Sequence, residues 1–312
     1  MDELVSVIIT TYKRESLYVE EAIKSVVNQT YRPIEVIVVD DNGDNERFSH
    51  DVYELCRQYQ ITYIKNDKNS GAQFSRNIGI LNAKGKYLAF LDDDDIWRED
   101  KLQKQMDLFT HDTIGMVYCD GISFEDGNPE NQWAFREASI YIQPINHKLE
   151  LFNDYIGSTS QALIKKECFA KVGIFDNDMP ARQDYEMWLR ISREYEIVGS
   201  PEKLLYYRSH KGERISTNWN KCFRSYELVL AKHMDEYNRV PYAKAKIILR
   251  LFDSSMKMKK PIMACKYLIK AFVVNPQCVM DVIHRRLSKK SFPEYYTEEY
   301  LKALGLLESE RG

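Results

Sequence analysis

The chain has 312 residues, of which 29% are charged and 44% hydrophobic, and its formal net charge is −3. This is an ordinary globular composition, and without a basic excess it argues against a protein that coats nucleic acid. The six cysteines, Cys56, Cys119, Cys168, Cys222, Cys265 and Cys278, never fall at C-x-x-C spacing. That speaks against structural zinc and against a secreted disulfide framework, and a reducing cytosol is the simplest compartment.

Strand and helix patterns alternate for about ninety residues. Residues 4–10, "LVSVIIT", are β-branched and continuous, and they leave no room for a signal peptide before them. Residues 20–27 have helical spacing, 34–39 read as a strand, 51–59 as a helix and 61–64 as a short strand. Residues 74–83 read as a helix and 87–91 as a strand. Nearly continuous apolar strands with helices between them predict an α/β fold, a mainly parallel sheet covered by helices on both faces. The middle is more mixed: "GMVYCDG" and "QALIKK" read as strands, 183–195 as a helix, and 127–144 as a long polar and aromatic loop. From Phe223 onward the pattern predicts four or five short helices, with Pro241 and Pro261 at helix starts. No stretch approaches the ~20 apolar residues of a membrane span.

The strand at 87–91 runs into four aspartates, Asp92 to Asp95. At ~5 Å and an effective dielectric near 20, each like pair repels by about 3 kcal/mol, so a cation is expected to offset them. One aspartate can cap the helix expected near Arg98, and solvent can screen others. If the segment is extended, Asp92 and Asp94 share a side. Two carboxylates without sulfur or imidazole beside them suit a hard ion, Mn²⁺ or Mg²⁺, whose shell substrate phosphates commonly complete.

Six segments in order resemble the inverting family-2 glycosyltransferases, whose nucleotide-sugar-binding fold is the Rossmann-like GT-A fold. They are "VSVIITTYKRE", "SVVNQTYRPIEVIVVDDNG", "NSGAQFSRNIGI", "YLAFLDDDDIW", "VGIFDNDMPARQDYEMWLR" and "YYRSHKGERIS". The resemblance covers about two thirds of the chain. It implies a nucleotide-sugar-binding half at 1–115, an acceptor-binding and catalytic half at 116–220, and a C-terminal α-helical extension at 221–312. It also implies transfer from a nucleoside-diphosphate sugar, a UDP-sugar above all, to a glycan or lipid-linked hydroxyl, as in bacterial surface polysaccharide synthesis.

The roles implied by the resemblance fall on particular positions. Thr10, Tyr12 and Arg14 hold the nucleoside, and Asp40 or Asp41 accepts the uracil N3–H. Arg76 lies near the diphosphate or ribose. Asp92 and Asp94 form the D-x-D pattern, with Asp94 on the metal and Asp92 toward the ribose or a metal-bound water, while Asp93 adds to the nucleotide side with its role open. Asp184 is the general base, although Gln183 stands where the family often has glutamate. His210 matches a histidine that completes the metal shell in some members. The alternative is a subunit that binds a sugar nucleotide without transferring it; the presence of Asp92, Asp94 and Asp184 together favours an enzyme. Nucleotidyl transfer would call for a glycine-rich phosphate loop, which "TTYKRES" lacks.

Trp133 and Phe135 in the 127–144 loop are expected to stack on acceptor sugar faces. "CVMDVIHRRLSKK" sets Val279, Ile283 and Leu287 beside Arg285, Arg286, Lys289 and Lys290. That pattern suits either packing with a solvated basic edge or an anionic membrane surface. Residues 242–252 and 263–273 suit a homodimer surface. The expected location is the cytoplasm, with peripheral contact on the inner face of the membrane left open.

Overall fold

The computed structural model describes residues 2–134, 144–210, 217–288, 290 and 295–307. In chain order its elements are β1 (Val5–Thr11), α1 (Ser16–Val27), β2 (Ile34–Asp40), α2 (Glu46–Gln58), β3 (Thr62–Lys65), α3 (Ala72–Asn82) and β4 (Tyr87–Asp92). There follow β5 (Ile96–Trp97), α4 (Lys101–Met106), β6 (Ile114–Glu125), β7 (Asn128–Ala134), α5 (His147–Phe152), a 3₁₀ turn (Thr159–Gln161), β8 (Leu163–Lys165) and α6 (Lys166–Val172). The rest is α7 (Gln183–Glu194), β9 (Glu196–Ser209), α8 (Trp219–Lys232), α9 (Met234–Arg239), α10 (Pro241–Lys257), α11 (Pro261–Val274), α12 (Pro276–Ser288) and α13 (Glu298–Ala303). The chain forms two compact units: Met1–Arg136 with Ile156–Asn177 and Glu194–Lys211, and Glu137–Tyr155 with Asp178–Arg193 and Gly212–Gly312.

The first unit holds the whole sheet, in the order β3-β2-β1-β4-β8-β6-β9-β5, with β7 paired to β6. All seven residues of β1 are buried, which is why the strand reads as a mostly apolar, β-branched run interrupted by Ser6. It pairs in parallel with β2 on one side and β4 on the other. Beyond β4 the sheet is mixed, since β8 runs antiparallel to β4 and β6, while β6 and β9 are parallel. The register sets Thr11 opposite Asp40 and Thr10 opposite Asp92, so three strands end their carboxyl sides together. The chain reverses winding at this point, where ligands bind in open α/β sheets.

Helix α3 lies against β1 through Gly79. A Cβ there would stand 2.4 Å from the Ile8 Cγ2 atom, so only glycine lets the helix approach this closely.

Two expectations differ from the structure. Residues 128–134, expected within a long loop, form β7, which folds back on β6 through a turn with Gly127 at φ +76°. Its polar residues hide the strand because it pairs at the side of the sheet rather than inside it; residues 135–143, Phe135 among them, lie outside the described residues. After residue 217 six helices stand among the described residues rather than four or five, because the chain leaves helical geometry at His233 and splits one expected helix into α8 and α9.

The second unit is helical and packs around α10, where Ala243, Ala245, Ile247, Ile248, Leu249 and Leu251 are buried. One of its fully buried acids is Glu186, on α7. Arg190 Nη2 and Lys232 Nζ reach its two oxygens at 2.8 and 2.7 Å. Burial alone would raise the carboxyl, but the neighbouring His233 ring, Arg190 and Lys232 outweigh it and hold it down to about 2.

Two outcomes follow for stability. Gly79→Ala is expected to lower stability by about 1–3 kcal/mol through overpacking, despite the better helix propensity of alanine; equal or higher stability in urea denaturation would contradict the close approach. The folded Glu186 lies below its unfolded value near 4.3, so its contribution is full above about pH 5 and fades as pH falls toward 2. The stability gap between wild type and Glu186→Gln is expected to narrow by about 2 kcal/mol between pH 6.5 and pH 3, and a gap that holds constant would contradict the ion network.

Candidate active site

The four aspartates stand at the end of β4, but not in an extended segment. The Asp95 N–H donates to the Asp92 carbonyl at 3.1 Å, closing a turn. The turn spreads the carboxylates over several partners, with Arg14 shared by Asp93 and Asp94. Asp92 Oδ1 meets Arg76 Nη2 at 2.6 Å. Asp93 Oδ1 accepts from Arg14 Nε at 2.9 Å, and Asp94 Oδ2 from Arg14 Nη2 at 2.7 Å. The same Asp94 oxygen lies 3.1 Å from His210 Nε2. Asp95 is fully buried and accepts the Arg208 backbone N–H at 3.2 Å. None of the four caps α4, whose first residue is Lys101 and whose N-cap, Asp100, makes no side-chain cap. The cations that offset the acidic run are therefore two arginines and a histidine of this chain.

Proton affinities follow from these contacts. Burial pushes Asp93 up to about 6 against the pull of Arg14, with the Asp94 charge adding to the rise. Burial also lifts Asp95 well above the usual carboxylate range, helped by the Asp94 and Asp92 charges. Asp94 goes the other way: burial opposes, but the His210 hydrogen bond and the Arg14 charge bring it below the usual range. The hydrogen bond to Asp94 in turn raises the imidazole of His210, against some desolvation.

His210 is steered from behind. Its Nδ1 lies 3.1 Å from Asp126 Oδ2, which also accepts from the Tyr18 hydroxyl at 3.0 Å. Arg208 reaches Asp126 and Glu21, donates from Nε to the Asp94 carbonyl, and lies over the rings of Tyr18 and Phe124. A carboxylate behind a histidine fixes ring orientation and tautomer, the usual arrangement behind a metal-ligating imidazole. Asp126, Arg208 and Tyr18 were not singled out by the sequence. Asp126 precedes the loop expected at 127–144, and Arg208 lies within "YYRSHKGERIS" without a role of its own there.

Could this set hold a divalent ion? Asp94 Oδ2 and His210 Nε2 are separated as neighbouring corners of an octahedral shell with bonds of about 2.1 Å would be. No group of three His, Cys, Asp or Glu donors is gathered among the described residues, so an ion held here would need further ligands from outside the chain, a common arrangement for Mg²⁺. Asp94 and His210 fit such an ion. Arg14 holds the same Asp94 oxygen and would have to yield it.

Of the residues that the family resemblance assigns to the nucleoside, Thr10 and Asp40 are buried where the strands end, and Tyr12 is 43% exposed just beyond. The Tyr12 N–H points to Asp93 Oδ2 at 3.4 Å. Asp40 accepts from the backbone and side chain of Asn42 and from the Tyr63 hydroxyl. Asp41 accepts from Asn66 Nδ2 at 2.8 Å, Ser70 N–H at 2.9 Å and Gly71 N–H at 2.8 Å. Both carboxylates thus hold their own loops, and each has one of roughly four lone-pair sites left. Asp41 pins the 66–71 loop at the start of α3, where Gly71 takes φ +94°.

Asp184 lies in the second unit, in the first turn of α7, with the Tyr185 N–H on its Oδ1 at 2.9 Å. Arg182, two residues earlier, is held at φ +55° with its guanidinium over the Tyr226 ring. A left-handed arginine costs roughly 1–2 kcal/mol, and strain of this kind clusters at functional sites. No sequence signal marks it, since arginine has no preference for that conformation.

Comparisons with known proteins bear on the family and the fold. The family described as Glycosyl transferase family 2 matches residues 6–173. An uncharacterized glycosyltransferase of Methanocaldococcus jannaschii is 31% identical over 211 residues, 66% of this chain and 70% of its own. WcaA of Escherichia coli, named for glycosyl transfer in colanic acid biosynthesis, is 31% identical over 250 residues, 76% of this chain and 83% of its own. Among solved structures, residues 1–349 of Staphylococcus aureus TarS in complex with UDP-GlcNAc superpose with a TM-score of 0.66 at 16% identity, covering 96% of this chain and 91% of that one. The mannosyltransferase PcManGT of Pyrobaculum calidifontis, in complex with GDP-Man and Mn²⁺, gives 0.60 at 19% identity over 97% and 86%. With a sheet that ends in an arginine-held acidic turn, and with family and relatives matching over most of its length, the chain belongs to glycosyltransferase family 2 and has the GT-A fold.

Proposed function

We propose that this glycosyltransferase moves a hexose from a nucleoside-diphosphate sugar, a UDP-sugar, to a hydroxyl of a glycan or lipid-linked acceptor with inversion, in the assembly of a bacterial surface polysaccharide. The observation that carries the reading is the turn at Asp92 to Asp95, which draws Arg14, Arg76 and His210 to the strand ends. The name of the Escherichia coli relative supports the polysaccharide setting.

In this reading Thr10 and Tyr12 bind the nucleoside, with Tyr12 offering a ring face, and the remaining lone pair of Asp40 or Asp41 takes the base N–H. Arg14 and Arg76 are forks that can turn from carboxylate to phosphate oxygens. Asp92 and Asp93 keep those arginines in place before the donor arrives. Asp94 and His210, with Asp92 toward the ribose, would hold Mn²⁺ or Mg²⁺, which when bound supplies charge neutralisation for the departing diphosphate. Asp184 takes the proton of the acceptor hydroxyl. The acceptor oxygen then bonds to the anomeric carbon from the face opposite the leaving group, and the carbon–oxygen bond to the diphosphate breaks with its electron pair leaving on phosphate.

A thermal-shift panel of UDP- and GDP-sugars, with and without Mn²⁺, tests the donor. The cognate donor is expected to raise the melting temperature by mass action, more so with metal; a panel in which no nucleotide sugar shifts it would overturn the reading. Asp184→Asn is expected to keep that shift while losing about 10²–10⁴-fold in turnover. Turnover at the wild-type rate in this variant would remove Asp184 from the chemistry. Full activity in excess chelator would remove the metal.

A further inference from the structure

Helix α11 is apolar on both its sides. Ala264 and Ala271 are buried, while Ile262, Cys265, Ile269 and Val273 recur at three- and four-residue steps on the side that faces solvent. Ile262, Ile269 and Val273 are 87%, 64% and 77% exposed, and Phe272 half so. A helix packed on one side by its own unit ordinarily turns charged and polar residues outward.

The charge around this stripe is one-sided. Residues 254–280 contain five lysines, Lys257, Lys259, Lys260, Lys266 and Lys270, and no acidic residue, in a chain whose net charge is −3. All five are exposed, and among the described residues none is engaged in an ion pair. The acid that reaches α11 is Glu227 of α8, which accepts from the Tyr267 hydroxyl at 3.3 Å. The sequence had pointed instead to α12 as a basic amphipathic helix. There Val279 is buried and Arg286 is taken up by both oxygens of Asp253 at 2.8 Å, so α12 adds exposed Met280, Ile283 and Leu287 but less free charge.

We propose that α11 docks the chain on an anionic lipid surface. Ile262, Ile269, Phe272 and Val273 enter the boundary between headgroups and acyl chains, and the five lysines meet the phosphates. An amphipathic helix lying in the interface gains from both buried apolar area and attraction to anionic lipid. No helix among the described residues is long and apolar enough to cross a membrane, so the contact is peripheral. A second copy of the chain is the competing occupant, and charge decides against it. A two-fold contact sets the same patch against itself, which would bring together five lysines from each copy, an excess that Glu227 of α8 does not balance.

Cys265 provides the probe, since it lies in the stripe and the other five cysteines are buried. The full chain, labelled there with an environment-sensitive thiol dye, is mixed with phosphatidylcholine vesicles and with vesicles in which about one third is phosphatidylglycerol. A blue shift and co-sedimentation are expected with the anionic vesicles. Binding is expected to be about tenfold weaker or more with neutral vesicles, and likewise for Lys266→Glu with Lys270→Glu, and for Ile269→Asn, with melting temperatures unchanged. Failure to bind anionic vesicles, or equal binding by Ile269→Asn, would overturn the proposal. So would a dimer in sedimentation velocity without lipid that Ile269→Asn abolishes. None of these readouts depends on turnover or on the identity of the donor.

Discussion

Charge balance at the end of β4 is the constraint on which the site depends. Four consecutive acids at the mouth of a buried strand are tolerable only with compensation, and the fold supplies it from distant parts of the chain. Arg14 comes from the segment after β1, Arg76 from α3 and His210 from just past β9, while Asp95 is met by the backbone N–H of Arg208. The turn at Asp92 divides the acids among these partners rather than stacking them on one ion. Positive groups are thereby held at the strand ends by carboxylates, and in the function proposed here they are the groups that would turn to an anionic diphosphate. Asp126, Glu21 and Tyr18 form a second ring that fixes Arg208 and His210, so the orientation of the innermost pair is set by α1 and by the residue that follows β6, both distant from it in sequence.

Much of the α/β half was legible because its physics is local. A strand buried on both faces must be mostly apolar, and β1, β2 and β4 are; a helix between them shows its period, as α1 and α3 do. Proline at the first helical position marked α10 and α11. The fold class and family were therefore readable, the latter because six short motifs keep their order. What stayed hidden depends on contacts between distant segments. The pairing of Arg14 with Asp93 and Asp94 spans about eighty residues, and that of His210 with Asp94 spans 116. The sequence argument weighed a metal against a helix cap and solvent for the aspartates, and not arginines of the chain, because no local feature shows where arginines arrive. β7 was missed because its polar side chains carry no alternation, and Arg182 because a backbone angle is not written in a side chain.

The helical unit shows the same division between inside and outside. Its centre is built on α10 and on buried ionic pairs such as Glu186 with Arg190 and Lys232. Its margin carries α11, whose outward apolar stripe has no role in holding the unit together. Hydrophobic periodicity alone cannot tell which side of such a helix is covered. The sequence pattern therefore favoured α12, where charge and apolar residues segregate more visibly, whereas burial singles out α11.

The most direct test of the charge-storing turn is titration of UDP and of GDP into wild type and Asp94→Asn, each with Mn²⁺ and with chelator. Asp94 is expected to be needed for the metal-dependent part of binding, so one nucleotide should bind wild type at least about tenfold more tightly with Mn²⁺, and that gain should vanish in the variant. A variant that binds the nucleotide with the full metal-dependent gain would contradict the placement of the diphosphate at this turn.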